Sequence, residues 1–334
     1  MIYFITGSTG FIGTRLALAL AKHGHQVRAL IRDESKAKPL LENKNIQCYR
    51  GTLEDDTVLR EAMHGTDGVF HLAAYAKPWA KNPHLYNRIN LAGTVNIFKI
   101  AADEKVKRVV FTSTAGTFGP SRDQPIDEHS LRYKDFFNEY ESTKFMGEKK
   151  AKDFVIDGMD IVIVHPSRVY GPGFLSKSNG VTLLVKKYIQ GTWWFIPGSG
   201  KSKGNYAYID DVVNGHMLAM QNGRNGEQYI LGGENASYWD LFYLIRDISH
   251  KRYPLIPIPV VLLIVFAALQ MNVAKFFGRP PLLPPKWVKK YLYNWELSSA
   301  KAERELGYHI TPMNKGLHIT IEWIKNSFRN GAKA

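Results

Sequence analysis

The first thirteen residues constrain the fold of this chain more than any other stretch. Residues 2–5 form a short apolar run of β-branched and aromatic side chains, a pattern typical of a buried parallel strand. Gly7, Gly10 and Gly13 follow at a fixed spacing, and residues 14–22 are almost all good helix formers. Strand, glycine turn and helix in this order indicate a dinucleotide site, with the pyrophosphate at the helix N-terminus. The alternative is a tight turn that binds no ligand.

Strand and helix patterns alternate along the first half of the chain. The further strand patterns lie at residues 26–31, 46–50, 68–74, 108–115 and 160–166. This alternation predicts an α/β fold with a doubly wound parallel sheet of the Rossmann type. The pattern changes after Gly173, so we predict a dinucleotide-binding domain of residues 1–173 plus about 205–235. A smaller, mostly helical substrate-binding domain would comprise about residues 174–204 and 236–330.

The chain is strongly basic, with a net charge of +14 over 334 residues. Residues 251–334 alone hold 13 Lys and Arg against 4 Asp and Glu. A basic surface suits nucleic acid, anionic lipid or an anionic cofactor, or it is simply a solvated surface. Because no zinc-finger or RNA-binding signature is present, we predict no nucleic-acid partner.

The single cysteine and the early first strand bear on the cellular compartment. Cys48 has no second cysteine with which to form an intrachain disulfide, and a cysteine-based metal site is excluded. A strand that starts at residue 2 leaves no room for a signal peptide. We therefore expect a cytoplasmic protein and no metal site.

The end of the second strand bears on the choice of cofactor. NAD-binding folds place an acidic residue there to hold the ribose hydroxyls, but this chain has Ile31 followed by Arg32. An arginine can hold a 2′-phosphate through paired, charge-assisted hydrogen bonds, which favours NADP(H). Asp33 keeps NAD(H) open, because it could take the role of the acid or pair with Arg32.

Candidate catalytic residues follow the fifth strand. Its end is rich in hydroxyls, and ligands of open α/β sheets bind at that edge. Tyr140 and Lys144 are spaced i and i+4, which places both on one face of a helix. A neighbouring ammonium lowers the pKa of a phenol toward working pH, so this pair suits proton transfer. The alternative is a surface pair. His71, at the end of the fourth strand, is more typical of a packed core histidine.

These motifs, in this order, resemble the extended short-chain dehydrogenases/reductases, the NAD-dependent epimerase/dehydratase family. Residues 6–13, TGSTGFIG, resemble the family's TGxxGxxG signature, and Tyr140 with Lys144 resembles its YxxxK pair. Further matching blocks lie at residues 71–74, 166–173, 208–211 and 297–308. Residues 27–33 and 111–117 look most like the dihydroflavonol-4-reductase-like branch, which includes relatives of 3β-hydroxysteroid dehydrogenase.

The resemblance implies roles for individual residues. Tyr140 would be the general acid/base beside Lys144, and the catalytic hydroxyl maps to Thr114, with Ser113 as its rival. Asn90 would help relay protons, unless it only makes a packing contact. Thr52 stands where the family often has an aspartate that contacts adenine, so that contact is weakened or lost. The predicted cofactor-binding residues are Gly7, Thr9, Gly10, Phe11, Ile12, Gly13, Arg32, Thr52, Leu53, Leu72, Ala73, Ala74, Thr112, Tyr140, Lys144, Pro166, Arg168 and Val169.

The resemblance also implies an activity. We expect an NADP(H)-dependent oxidoreductase that reduces a ketone or aldehyde, or oxidises the alcohol, by hydride transfer. One rival is a nucleotide-sugar epimerase or dehydratase with tightly bound NAD; a rival of another class is a non-catalytic NADP(H)-binding regulator. Relatives often dimerise through the helices that carry Asn90 and Tyr140, so we expect a homodimer.

The second region is expected to determine substrate specificity. Lys77, Trp79 and Tyr170 are candidate pocket residues, and residues 193–195 either line the pocket or pack within the smaller domain. Scarce acids and many aromatics favour a lipophilic substrate. The apolar run at 253–269 is too short to span a membrane, which needs roughly 20 apolar residues. We predict a buried helix there; the alternative is a lid or a peripheral membrane contact through 253–290, where Lys275, Arg279, Lys286, Lys289 and Lys290 lie.

Overall fold

The computed structural model describes residues 1–173, 175, 179–277 and 285–331, with only the backbone described at 272–277 and 328–331. Parts of the predicted substrate-binding domain, among them Arg279 and the side chain of Lys275, lie outside the described residues. The strands are β1 Ile2–Thr6, β2 Gln26–Ile31, β3 Ile46–Arg50, β4 Gly68–His71, β5 Val109–Thr112, β6 Ile161–Pro166, β7 Arg168–Tyr170, β8 Phe195–Pro197, β9 Lys203–Tyr208, β10 Gln228–Leu231, β11 Glu234–Ser237 and β12 Ile256–Ile258.

The helices flank these strands along the whole described chain. They are α1 Phe11–Lys22, α2 Lys38–Leu41, α3 Asp56–Met63, α4 His84–Tyr86, α5 Gly93–Asp103, α6 Glu139–Ile156, α7 Gly180–Ile189, α8 Ile209–Asn222, α9 Tyr238–Ser249, α10 Val260–Phe277, α11 Pro285–Val288, α12 Ala300–Leu306 and α13 Met313–Gly331. A π-helical stretch, Asn87–Ala92, joins α4 to α5, so the helical structure is continuous from residue 84 to 103 but contains a wider turn.

A seven-stranded parallel sheet in the order β10-β6-β5-β4-β1-β2-β3 is the centre of the fold. Consecutive side chains of a strand point to opposite faces, so Phe4 packs with α3 and α5 residues whereas Ile5 packs with α1 and α8 residues. The strand order reverses between β1 and β4, and this switch point is where such sheets bind ligands. The predicted doubly wound α/β fold is confirmed.

The chain after Gly173 contains more regular structure than its sequence indicated. Two small sheets, β11-β9-β7 and β12-β8, lie beside the main sheet. The stretch 191–204, part of the domain predicted to be mostly helical, contains β8 and the start of β9. Helix α9 was not predicted, although Ser237 and Asp240 form a capping box at its start.

Helix α10 is not the buried helix that its apolar sequence predicted. Val260 and Ala267 face the protein, but Val261 and Leu262 are more than half exposed. Among the described residues, α10 packs mainly on the four-residue α11 and the turn that follows it, which are too small to bury more than one side of α10. Within the described residues, no helix is long and apolar enough to cross a membrane.

Candidate functional site

The glycines of the turn after β1 let its backbone pack against neighbouring backbone more closely than any larger residue would allow. Gly7 has a φ of +69°, and a Cβ there would lie 2.7 Å from the Ala73 nitrogen. A Cβ on Gly13 would lie 2.1 Å from the Gly7 carbonyl oxygen. Gly10 is the N-cap of α1, and no side chain caps the helix. The first N–H groups of α1 can therefore hold an anion.

A single cleft of about 950 Å³ extends from this turn along the carboxyl edge of the sheet. Each of the residues predicted to bind cofactor lines it, except Lys144, which is fully buried behind the wall. Ser113 and Thr114 line it too. The loop after β4 is held at the cleft by Thr6, whose Oγ1 accepts a hydrogen bond of 3.2 Å from the Ala73 N–H.

The end of β2 presents cations, not a carboxylate, to the cleft. Ile31 is buried, while Arg32 and Lys36 line the cleft. The Asp33 carboxylate accepts hydrogen bonds from the backbone N–H and hydroxyl of Ser35, and it pairs with Lys36 at 3.3 Å. These contacts hold the pKa of Asp33 below its usual value. Asp33 thus caps a turn, and Arg32 faces the cleft beside it.

Tyr140 and Thr114 come together at the cleft wall. Both side chains line the cleft, and Thr114 Oγ1 accepts a hydrogen bond from the Gly116 N–H at 3.2 Å. Burial raises the pKa of Tyr140 to about 12, the nearby Thr114 hydroxyl acts to lower it, and Glu141 and Glu148 raise it further. Ser113 donates its hydroxyl hydrogen to Glu148 instead. Thr114, rather than Ser113, is the hydroxyl beside the phenol.

Lys144 is a fully buried amine with no hydrogen-bond partner on its Nζ. The Nζ lies 4.1 Å from the centre of the Phe111 ring. Burial lowers the pKa of Lys144 to about 7, although the charge of Glu148 acts to raise it. The sequence-based expectation that Lys144 would bring the pKa of Tyr140 down is therefore not met in this structure, because burial disfavours both charged forms.

Asn90 and His71 have structural contacts. Asn90 lies in the π-helical stretch, accepts a 2.6 Å hydrogen bond from the Tyr75 N–H and donates to Thr143 Oγ1 at 3.0 Å. Asn90 therefore anchors the loop after β4 to α6, which agrees with the alternative that it makes a packing contact. These contacts do not test whether Asn90 also relays protons. His71 is fully buried between Thr6 and Thr94, and burial holds its pKa well below 6.5. It is a neutral core histidine.

Two buried carboxylates beside the site were not identified from the sequence. Glu141 pairs with Arg132 at 3.1 Å and with Lys290 at 2.6 Å, and so ties the C-terminal segment to the residue after Tyr140. No sequence pattern connects positions 149 residues apart. Glu148 lies one helical turn after Lys144, and that i+4 spacing could have identified it.

The far end of the cleft is largely aromatic. Its wall in this part includes Trp193, Phe195, Phe242, Trp287 and Tyr291, whereas Trp194 points outward. Lys77, Trp79 and Tyr170, the candidate pocket residues, do not line the cleft. Tyr170 is buried in the core because its ring packs against Tyr208 and its hydroxyl donates to the Met313 carbonyl.

Arg168 lies with this aromatic end and not with the glycine turn. Its guanidinium packs over Gly204 and donates to the hydroxyls of Tyr206 and Tyr238 at 3.4 and 3.3 Å. No ion pair within the described part of the chain joins Arg168 to a carboxylate. The predicted cofactor residue thus directs its charge toward the substrate side of the cleft.

The described residues fit a dinucleotide. The glycine turn offers unobstructed N–H groups where a Cβ would intrude, which suits a pyrophosphate. The unpartnered ammonium of Lys144 would gain a hydrogen-bond acceptor from a ribose hydroxyl beside Tyr140. An orphaned buried donor is costly, so such a ligand would stabilise the site.

Comparisons with known proteins agree with this geometry. A sequence model described as the NAD dependent epimerase/dehydratase family matches residues 3–232. A putative dihydroflavonol 4-reductase of Synechocystis sp. is 31% identical, over 97% of this chain and 94% of its own length. Sterol demethylase protein B of Methylococcus capsulatus is 26% identical, over 97% of this chain and 98% of its own length.

Solved structures share the fold over nearly the whole chain. The structure of gox2253 aligns with a TM-score of 0.83 at 28% identity, covering 98% of this chain and 99% of the other. UDP-glucose 4-epimerase of Thermotoga maritima, solved with UDP-glucose, aligns with a TM-score of 0.81 at 24% identity, covering 98% and 100%. This chain therefore belongs to the NAD dependent epimerase/dehydratase family, within the extended short-chain dehydrogenases/reductases, and is an NAD(P)-dependent oxidoreductase.

Proposed function

We propose that this protein is an NADP(H)-dependent carbonyl reductase with Tyr140 as its general acid. One observation carries the proposal: Tyr140 and Thr114 both line the wall of the cleft that begins at the glycine turn. A hydroxyl pair in that position can bind a carbonyl oxygen and deliver a proton to it.

The protein's own residues have separate tasks in this reaction. A nicotinamide cofactor, when bound, would supply the hydride for the carbonyl carbon. Tyr140 then donates its proton to the carbonyl oxygen; a pKa of about 12 keeps the phenol protonated at neutral pH, which suits the reductive direction. Thr114 orients the substrate oxygen. Lys144 holds the ribose and, as an ammonium, stabilises negative charge that develops on the Tyr140 oxygen.

The preference for NADP(H) rests on the end of β2. Arg32 and Lys36 line the cleft there, and the Asp33 carboxylate is engaged by Ser35 and Lys36. A 2′-phosphate would meet a guanidinium, whereas the hydroxyls of NAD(H) would lack the acid that usually binds them.

The substrate we propose is lipophilic and carries one strongly polar group. The aromatic end of the cleft supplies the apolar wall, and Arg168 lies within it. The Arg168 guanidinium donates hydrogen bonds to two phenols of the protein, and it can also donate to a carboxylate, a phosphate or a carbonyl oxygen of the substrate.

The test begins with the nucleotide that the purified protein retains and releases. We expect no tightly held NAD, exchangeable NADPH, and NADPH oxidation with members of a panel of lipophilic ketones and aldehydes. Tyr140→Phe should lower turnover by about 10²- to 10⁴-fold, because the proton donor is lost. Tyr243→Phe, an exposed phenol on α9, is the matched control.

Three results would contradict the proposal. NAD that stays bound through purification, together with turnover of a nucleotide sugar, would establish the epimerase or dehydratase alternative. Equal turnover by Tyr140→Phe and wild type on the same carbonyl would remove Tyr140 from the chemistry. Binding of NADPH with no turnover across the panel would favour the non-catalytic regulator.

A further inference from the structure

One side of helix α10 is an apolar surface exposed to solvent. Val261, Leu262, Val265, Phe266 and Leu269 are between 49% and 68% exposed. Their spacing, i, i+1, i+4, i+5 and i+8, places them on a single helical face. A solvated helix normally carries polar side chains on its outer face, but residues 260–269 contain none.

Further exposed apolar side chains lie on the small sheet whose strand β12 immediately precedes α10 in the chain. Strand β12 pairs with β8, and Ile256 and Phe195 on these strands, with Trp194 just before β8, are each 44–50% exposed. We name these three side chains and the five on α10 the apolar face. Phe195 also lines the cleft, so the apolar face extends to the aromatic end of the proposed substrate site.

The segments that carry the apolar face are exclusively basic in their charge. Residues 250–295 contain seven Lys and Arg and no Asp or Glu, and residues 180–204 contain four Lys and no acid. Lys286 and Lys290 reach Glu139 and Glu141 on α6. Lys251, Arg252 and Lys289 are exposed.

The exposed apolar side chains and the basic charge together indicate which kind of partner binds the apolar face. A second copy in a two-fold interface would bring the same basic segments against each other, which costs electrostatic energy. An anionic bilayer complements both properties, because its headgroups attract Lys and Arg while apolar side chains insert below them. Tryptophan at the edge of the face also suits the membrane–water interface.

We propose that the apolar face docks this protein on the surface of an anionic lipid bilayer, with α10 lying in the interface. The cleft then opens next to the lipid, on the side where Phe195 contributes to both surfaces. A lipophilic substrate could pass from the bilayer to Tyr140 without crossing water. Docking itself does not depend on the proposed reaction.

Vesicle sedimentation with the purified full-length chain tests this proposal without a substrate. We expect the protein to sediment with vesicles of equimolar phosphatidylcholine and phosphatidylglycerol, more weakly with phosphatidylcholine alone, and less in high salt. Val265→Glu should weaken apparent binding by about tenfold, a loss equal to the removal of one inserted side chain. Leu262→Glu should act alike.

The matched control is Ile156→Glu, an exposed aliphatic residue at the end of α6 and outside the apolar face. It should bind vesicles like the wild type, and thermal unfolding should show all three variants folded. No sedimentation of wild type with the anionic vesicles would overturn the proposal. So would undiminished binding of folded Val265→Glu. A self-association that Val265→Glu abolishes, with no vesicle binding, would assign the face to a second copy instead.

Discussion

The two halves of the cleft are built in different ways. Around the glycine turn, backbone groups and glycines form much of the wall, and Arg32 and Lys36 bring positive charge to it after β2. At the aromatic end, large side chains from β8, α9 and α11 form the wall, and they come from segments far apart in sequence. The first half is determined by local geometry, whereas the second depends on long-range packing. Cofactor binding and substrate specificity should therefore respond differently to mutation.

The largest difference is expected from a single methyl group added to each half. Gly13→Ala would place a Cβ 2.1 Å from the Gly7 carbonyl oxygen, so the backbone of the turn must shift. We expect NADPH affinity to fall about 100-fold, and the free energy of unfolding to drop by about 1–3 kcal/mol. Gly180→Ala, at the start of α7, meets no atom within 4 Å and should change neither quantity. Nucleotide titration by fluorescence and chemical denaturation measure both.

Equal NADPH affinity in Gly13→Ala and wild type would show that the turn does not hold the pyrophosphate. A loss of affinity in Gly180→Ala as large as in Gly13→Ala would remove the distinction between the two halves.

The same contrast explains what the sequence could predict. Residues 26–31 and 46–50 were predicted as strands and are β2 and β3, because buried parallel strands have a strong local signal. Tyr140 and Lys144 were found from helical spacing. The choice of Thr114 over Ser113 needed coordinates, since adjacent residues of a strand end point in opposite directions.

Long-range contacts were beyond the reach of sequence patterns. The pairing of Lys290 with Glu141 joins residues 149 positions apart. Apolar composition alone misled the prediction for α10, because burial depends on what packs against a helix as well as on its own residues. Tyr170 was a candidate pocket residue, but its ring is buried in the hydrophobic core.

A second prediction separates the charges of the two halves. Arg32→Ala removes the proposed phosphate contact, so NADPH affinity should fall about 10- to 100-fold, with NADH affinity little changed and vesicle binding unaffected. Lys289→Ala should do the reverse, with NADPH affinity unchanged and binding to anionic vesicles about fivefold weaker. Isothermal titration measures the nucleotide affinities of both variants, and vesicle sedimentation measures their binding to lipid. Similar losses of NADPH and NADH affinity in Arg32→Ala would show that Arg32 does not read the 2′-phosphate.

The smallest expected effect comes from Glu148, which lies below the site and does not line the cleft. Burial lowers the pKa of Lys144 to about 7 and Glu148 acts to raise it, so loss of the Glu148 charge must lower that pKa further. If the Lys144 ammonium holds the ribose, NADPH affinity falls as pH rises through about 7, and in Glu148→Gln the fall comes at lower pH. The 2′-phosphate ionises near a pKa of about 6 and acts in the opposite direction, because its added charge strengthens binding as pH rises.

Fluorescence titration of NADPH across this pH range, in wild type and in Glu148→Gln, measures the shift. The amide oxygen introduced by Glu148→Gln can still accept the Ser113 hydroxyl hydrogen bond, so the variant should unfold at a temperature close to that of wild type. Lys144→Met is the control: it should abolish the fall in affinity and leave only the rise from the phosphate. An identical midpoint in wild type and Glu148→Gln would mean that the charge of Glu148 does not reach the ammonium. Glu148 would then have no influence on cofactor binding.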